Sequence, residues 1–90
     1  FELGQNYPNP FNGSTVIPFD VHESMQVSIS IYDVSGKLVN ELHSADLERG
    51  HHSIIWDALD AHGNTVPSGF YIYQINGDGV ILRNKMILMK

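Results

Sequence analysis

Three features of the sequence predict an all-β fold, an antiparallel β-sandwich of about seven strands. Apolar and polar residues alternate with a period of two, as in Met25, Val27, Ile29 and Ile31 against Gln26, Ser28 and Ser30. No stretch carries a convincing apolar period of 3.6. Turn residues punctuate the chain at short intervals: Asn12-Gly13, Asp33-Val34-Ser35-Gly36, Gly50, Gly63-Asn64 and Asn76-Gly77-Asp78-Gly79. Short strands spaced in this way pair with their neighbours and bury one face each, which gives a sandwich of immunoglobulin-like architecture. Ninety residues make a single domain, 1–90, with one modest core.

Residues 1–13 open the chain as an extended segment. Pro8 and Pro10 alternate with Asn6, Asn9 and Asn12, and proline both removes a donor and extends the residue before it. Asn6 to Phe11 reads as a rigid spacer. Ser14 to Val21 reads as a strand with Thr15, Ile17, Phe19 and Val21 on one face. Pro18 cannot donate to a ladder, which places this strand at an edge or a bulge. Met25 to Val34 is the clearest strand. After the turn at Gly36, Lys37 to Leu42 returns as a weaker one, its charges suiting an edge. His43 to Arg49 is polar and reads as a loop or a single helical turn.

The central stretch runs from Ile54 to Tyr73. His51 to Asp57 reads as a strand with His52, Ile54 and Trp56 on one face. A loop of Asp, Asn, Gly and Pro follows. Phe70 to Ile75 is apolar on both faces, the pattern of a central strand. Trp56 and Tyr71 carry the largest apolar areas and are placed at the centre of the core, whereas Tyr32 and Tyr73 read as half exposed. Gly79 introduces the last strand, residues 79–90, with Leu82, Met86 and Leu88 on one face and Arg83 and Lys85 on the other.

Composition excludes several function classes. The chain has no cysteine, so no disulfide or thiolate metal site is available. A formal charge of −5 lacks the basic face that nucleic acid requires. No apolar run approaches the ~18–20 residues of a spanning helix. The chain begins at Phe1 rather than Met, and reads as a piece of a longer protein whose export signal would lie upstream.

Chemistry-bearing residues are few. Asp57, Asp60 and Asn64 share one loop and supply oxygen ligands for calcium. Two carboxylates are a thin donor set, however, and capping of turns by Asp and Asn is the favoured reading. His51 and His52 are adjacent on a strand and point to opposite faces, so they cannot share a metal. No nucleophile elbow or phosphate loop occurs. Catalysis and cofactors are therefore not expected. The tyrosines and Trp56 would suit a sugar-stacking platform only where they reach the surface.

Four stretches, Asn6–Asn12, Tyr32–Gly36, Trp56–Tyr71 and Gly79–Lys90, together resemble the boxes of the type IX secretion (Por secretion system) C-terminal sorting domain, type A. Asn6-Tyr7-Pro8-Asn9-Pro10-Phe11-Asn12 with Ile17 and Phe19 is similar to its opening box. Tyr32-Asp33-Val34 with Gly36 is similar to the second. Trp56-Asp57, Pro67-Ser68-Gly69 and Tyr71 continue it, and Gly79 followed by Lys85-Met86-Ile87-Leu88-Met89-Lys90 resembles the terminal box. The resemblance runs from about Leu3 to Lys90. Gly13, Pro18 and Asn84 depart from it, Asn84 standing where a basic residue is frequent.

The resemblance implies a non-catalytic β-sandwich at the C-terminus of an exported protein. Such a domain directs N-terminally fused cargo from the periplasm through the outer-membrane type IX translocon. A sortase-like peptidase then removes it, leaving cargo at the cell surface or released. Recognition by the translocon and its outer-membrane receptor is expected at Gly79, Lys85, Met86, Ile87, Leu88, Met89 and Lys90. Asn6, Pro8, Asn9, Pro10, Phe11, Tyr32, Asp33, Gly36, Trp56, Asp57, Gly69 and Tyr71 are expected to serve the fold. An exposed terminal edge would also permit a weak dimer. Two other function classes stand beside this one. Trp56 to Tyr73 resembles the immunoglobulin-like module of the flagellar hook-cap protein, which implies a structural assembly role. An accessory binding module of a polysaccharide-degrading enzyme is the other.

Overall fold

The computed structural model describes all ninety residues. Seven strands form two antiparallel sheets: β1 (Glu2–Leu3), β2 (Thr15–Val21), β3 (Met25–Asp33), β4 (Leu38–Leu47), β5 (Gly50–Trp56), β6 (Gly69–Gly77) and β7 (Val80–Leu88). One sheet has the order β1-β2-β5 and the other β4-β3-β6-β7. The inward faces follow the sequence alternation. Thr15, Ile17, Phe19 and Val21 face Val27, Ile29, Ile31, Tyr71, Tyr73 and Ile75 across the interior, all buried. Met86 and Leu88 join them from β7.

Trp56 is fully buried at one end of this interior. Its ring meets Tyr71 edge-on at 5.3 Å and Phe11 at 5.8 Å. Its indole N–H donates to the Leu59 carbonyl at 2.9 Å, which satisfies the one polar atom the ring brings inside. Tyr71 Oη donates back along the chain to the Pro67 carbonyl at 2.6 Å, as the tyrosine corner of immunoglobulin-like sandwiches does. Phe19, Val21, Val27, Ile29 and Ile75 fill the other end.

Several expectations give way. Residues 43–47 are strand, not loop, because β4 continues to pair with the first half of β3. Register shifts at Ile29/Ser30 and Ile31/Tyr32 break the alternation of β4, and its edge position leaves it polar. β6 is central in its sheet, yet only one face is buried; Phe70 lies half exposed on the other. Tyr73 is fully buried, because it sits on the inward register of β6 with Tyr71 and Ile75.

β2 lies between β1 and β5 rather than at an edge. Gly4 donates to the Pro18 carbonyl at 2.9 Å, so the side of Pro18 without a donor faces the chain beyond short β1 and costs no bond to β5.

Candidate functional site

β7 is an edge strand, and its two faces differ. A two-residue turn at Asp78 (φ 49) and Gly79 (φ 77) joins it to β6, and the paired positive φ values are those of the type I′ hairpin turn. Leu82, Asn84, Met86 and Leu88 then point inward, while Ile81, Arg83, Lys85 and Ile87 point outward. The terminal box is thereby split. Met86 and Leu88 are buried, so no partner touches them on the folded domain. Lys85, Met89 and Lys90 are exposed, and Ile87 is half-buried. Gly79 is held by its turn. Lys85 Nζ lies 5.8 Å from the centre of the Phe70 ring on the outer face, a cation–π approach.

The N-terminal segment does not stand off as a spacer. It crosses the sandwich and closes half of the β7 edge. Phe11 N–H donates to the Ile87 carbonyl at 3.0 Å, and Met89 N–H donates to the Phe11 carbonyl at 2.8 Å. Asn9 Oδ1 accepts the Ile87 N–H at 2.9 Å, and Gln5 Nε2 donates to the Lys85 carbonyl at 3.2 Å.

Behind this contact lies a polar network. Asn6 is 2% exposed. Its side chain donates to Thr15 Oγ1 at 3.0 Å, and Thr15 Oγ1 donates to the Pro8 carbonyl at 2.9 Å. Tyr73 Oη accepts from Asn6 N–H at 2.9 Å and donates to the Gly4 carbonyl at 2.8 Å. Asn84 Nδ2 reaches Tyr73 Oη at 3.3 Å. Pro8 and Pro10 each follow a cis peptide bond. The burial of Phe11 and the hydrogen bonds of Asn6 and Asn9 make the opening box part of the fold.

Of the remaining family-motif residues, Asp33 and Gly36 build one of two matching turns. In Asp33-Val34-Ser35-Gly36-Lys37, Asp33 Oδ1 accepts from the N–H groups of Ser35 (2.9 Å) and Lys37 (3.0 Å). In Asp60-Ala61-His62-Gly63-Asn64, Asp60 Oδ1 accepts from those of His62 (2.9 Å) and Asn64 (3.0 Å). Gly36 (φ 87) and Gly63 (φ 84) close the two turns in the left-handed region.

These bonds hold both carboxyl groups below the usual carboxylate range. At Asp33 the Ser35 hydroxyl acts first and the Lys37 N–H next; at Asp60 the Asn64 N–H acts first. Between the turns lies a cleft of about 340 Å³ whose walls include Asp33, Lys37, Asp60, Val66 and Tyr71. Burial, and then the Asp33 charge, pushes the Tyr71 phenol up.

Asp60 is thus committed to turn capping, and Asp57 lies exposed just beyond β5. No group of three or more His, Asp or Glu residues is placed to hold a metal ion. His51 and His52 do point to opposite faces. His51 pairs with Asp20, while His52 stacks on Phe19 at 5.4 Å. Tyr71, Tyr73 and Trp56 are all interior, so no sugar-stacking platform is assembled from them. The hydrogen bonds of Gln5 and of the Thr15 hydroxyl carry no sequence signal, whereas the inward place of Asn84 does. Counting register from the Asp78-Gly79 turn would have placed Asn84 inward, since the side-chain period of two is strict.

The FlgD Ig-like domain family matches residues 6–79, from Asn6 to the turn before β7. The chain belongs to this family. Within it, the basal-body rod modification protein FlgD of Salmonella typhimurium is 37% identical over 46 residues, which cover 51% of this chain. The chain spans only 20% of that relative's length.

Among solved structures, FlgD of P. aeruginosa is 26% identical with a TM-score of 0.67, covering 83% of this chain and 59% of its own. Dimeric latent PorU from Porphyromonas gingivalis is 27% identical with a TM-score of 0.73, covering 96% of this chain and 9% of its own. PorZ of the same organism, described as an essential bacterial surface component of the type-IX secretion system, shares the fold at 22% identity, a TM-score of 0.68 and coverage of 96% and 11%. The Ig-like sandwich of this family is therefore common to both sets of relatives.

Proposed function

We propose that this domain is a non-catalytic sorting signal of the type IX secretion class, carried at the C-terminal side of an exported cargo protein. One observation carries the reading. The FlgD family match stops at Gly79, so β7 and the Lys85–Lys90 box lie outside it. The likeness to PorU spans 96% of the chain, which leaves no room to omit β7. The residues beyond the family match include those that resemble the terminal sorting box. They form an edge strand with a cationic outer surface, which is the surface a translocon receptor would meet. The domain acts after export to the periplasm, and its destination is the cell surface or the medium.

Family membership and the 37% identity to Salmonella typhimurium FlgD favour a second reading, an Ig-like module of a structural assembly. The two separate in one experiment. All ninety residues are fused to a fluorescent periplasmic reporter in a host with a working type IX system and in the same host lacking the translocon. The sorting reading expects reporter at the surface or in the medium of the first host alone. Folded reporter retained in the periplasm of both would favour the assembly module.

A further inference from the structure

We infer that the open half of the β7 edge, from Ile81 to Lys85, accepts an extended anionic strand from a partner protein. The inference rests on the reading that β7 is read by a partner, and names the chemistry of that partner.

The carbonyl of Lys85, both backbone groups of Ile87 and the N–H of Met89 face away from β6 and are taken by Gln5, Asn9 and Phe11. Backbone direction alternates along a strand, so Arg83 and Ile81 present their N–H and C=O groups on the same side. No hydrogen bond reaches either of them there. The N-terminal segment therefore blocks further pairing beyond Lys85, while before it β1 packs against β7 without bonding to it and leaves the backbone groups of Ile81 and Arg83 unpaired.

Charge selects the occupant. The domain is acidic overall, at −5, yet β6 and β7 contain no Asp or Glu. Arg83 and Lys85 stand on the outer face of the open length. In the free domain Arg83 donates to Gln74 Oε1 at 3.1 Å and Lys85 lies over the Phe70 ring, so an incoming carboxylate competes only with a neutral amide and a ring face. The other edge of the same sheet, β4, carries Glu41 and Asp46. An added strand bearing carboxylates would gain main-chain bonds and two charge contacts at β7, and would be repelled at β4.

The test uses the whole isotope-labelled domain and two soluble peptides of about six residues, one alternating glutamate with valine and one alternating lysine with valine. Amide hydrogen exchange at Ile81 and Arg83 is expected to slow by about tenfold under saturating glutamate peptide, and to be unmoved by the lysine peptide. The outward-facing double variant R83E/K85E is expected to reverse that preference while keeping the native melt. The inference is overturned by no protection at Ile81 and Arg83, by equal protection from both peptides, or by glutamate-peptide protection at β4 instead. In those cases the two cations serve only to keep the edge from pairing. Export of the reporter fusion without peptide protection would sink this inference and leave the sorting reading standing. Protection without export would do the reverse.

Discussion

Pro18 and Asn84, two of the residues that depart from the sorting-domain pattern, meet at one atom. A regular ladder would send the N–H of residue 18 to the Gly4 carbonyl. Proline has none to send, and the carbonyl instead accepts Tyr73 Oη at 2.8 Å and Asn84 Nδ2 at 3.4 Å. An inward Asn at position 84 completes this network; a cation there would be buried against it. Tyr73→Phe should cost about 1–3 kcal/mol, because Asn6 N–H loses its partner in the interior. Urea unfolding measures that loss, and faster exchange of the Asn6 amide would locate it. Trp56→Ala should cost about 3–5 kcal/mol in the same assay, as expected for a buried aromatic truncated against a packed core. Asp33 and Asp60 give the acid limb of stability. Their folded values lie below the ordinary 3.8. Their contribution is therefore full above about pH 4 and is lost as pH falls from there through the folded values. The double variant D33N/D60N keeps the acceptor oxygens but not the titration, so its melting temperature should fall less between pH 5 and pH 3 than that of the wild type.

At the scale of elements, the sequence is most readable where one strand carries one buried face. β2, β3, β5 and the hairpin into β7 follow their alternation and turn residues. β4 does not, since two register shifts scramble its period and solvent tolerates polar residues along an edge. The N-terminal segment was misread for a different reason. Its Asn and Pro residues look alike as spacer or as strap, and only the location of β7 tells them apart. Asn9→Ala removes one hydrogen bond from that strap, to Ile87 N–H. It should cost about 1 kcal/mol and speed exchange at Ile87 without altering Arg83. The candidate site was legible in part. The alternation puts Lys85 on the outer face, where it is exposed, but Met86 and Leu88, expected among the recognition residues, belong to the core, and Arg83 gains its role only from the edge geometry.

For the whole molecule, the family match covers residues 6–79 and leaves β7, itself a strand of the sandwich, outside it. The core around Trp56 and Tyr71, which β7 completes with Met86 and Leu88, would serve an assembly module or a sorting module equally well. Deleting residues 79–90 would remove Met86 and Leu88 from that core, so such a deletion tests folding as much as sorting. Surface variants separate the two. The decisive measurement is export of the reporter fusion carrying K85A with Lys90 removed, its fold checked by thermal melting, against the unaltered fusion in the same type IX host. A native melt with export reduced about tenfold or more, the effect of losing about 1.4 kcal/mol of recognition, is the predicted result. A native melt with undiminished export would contradict the claim that the outer surface of β7 is what the translocon reads.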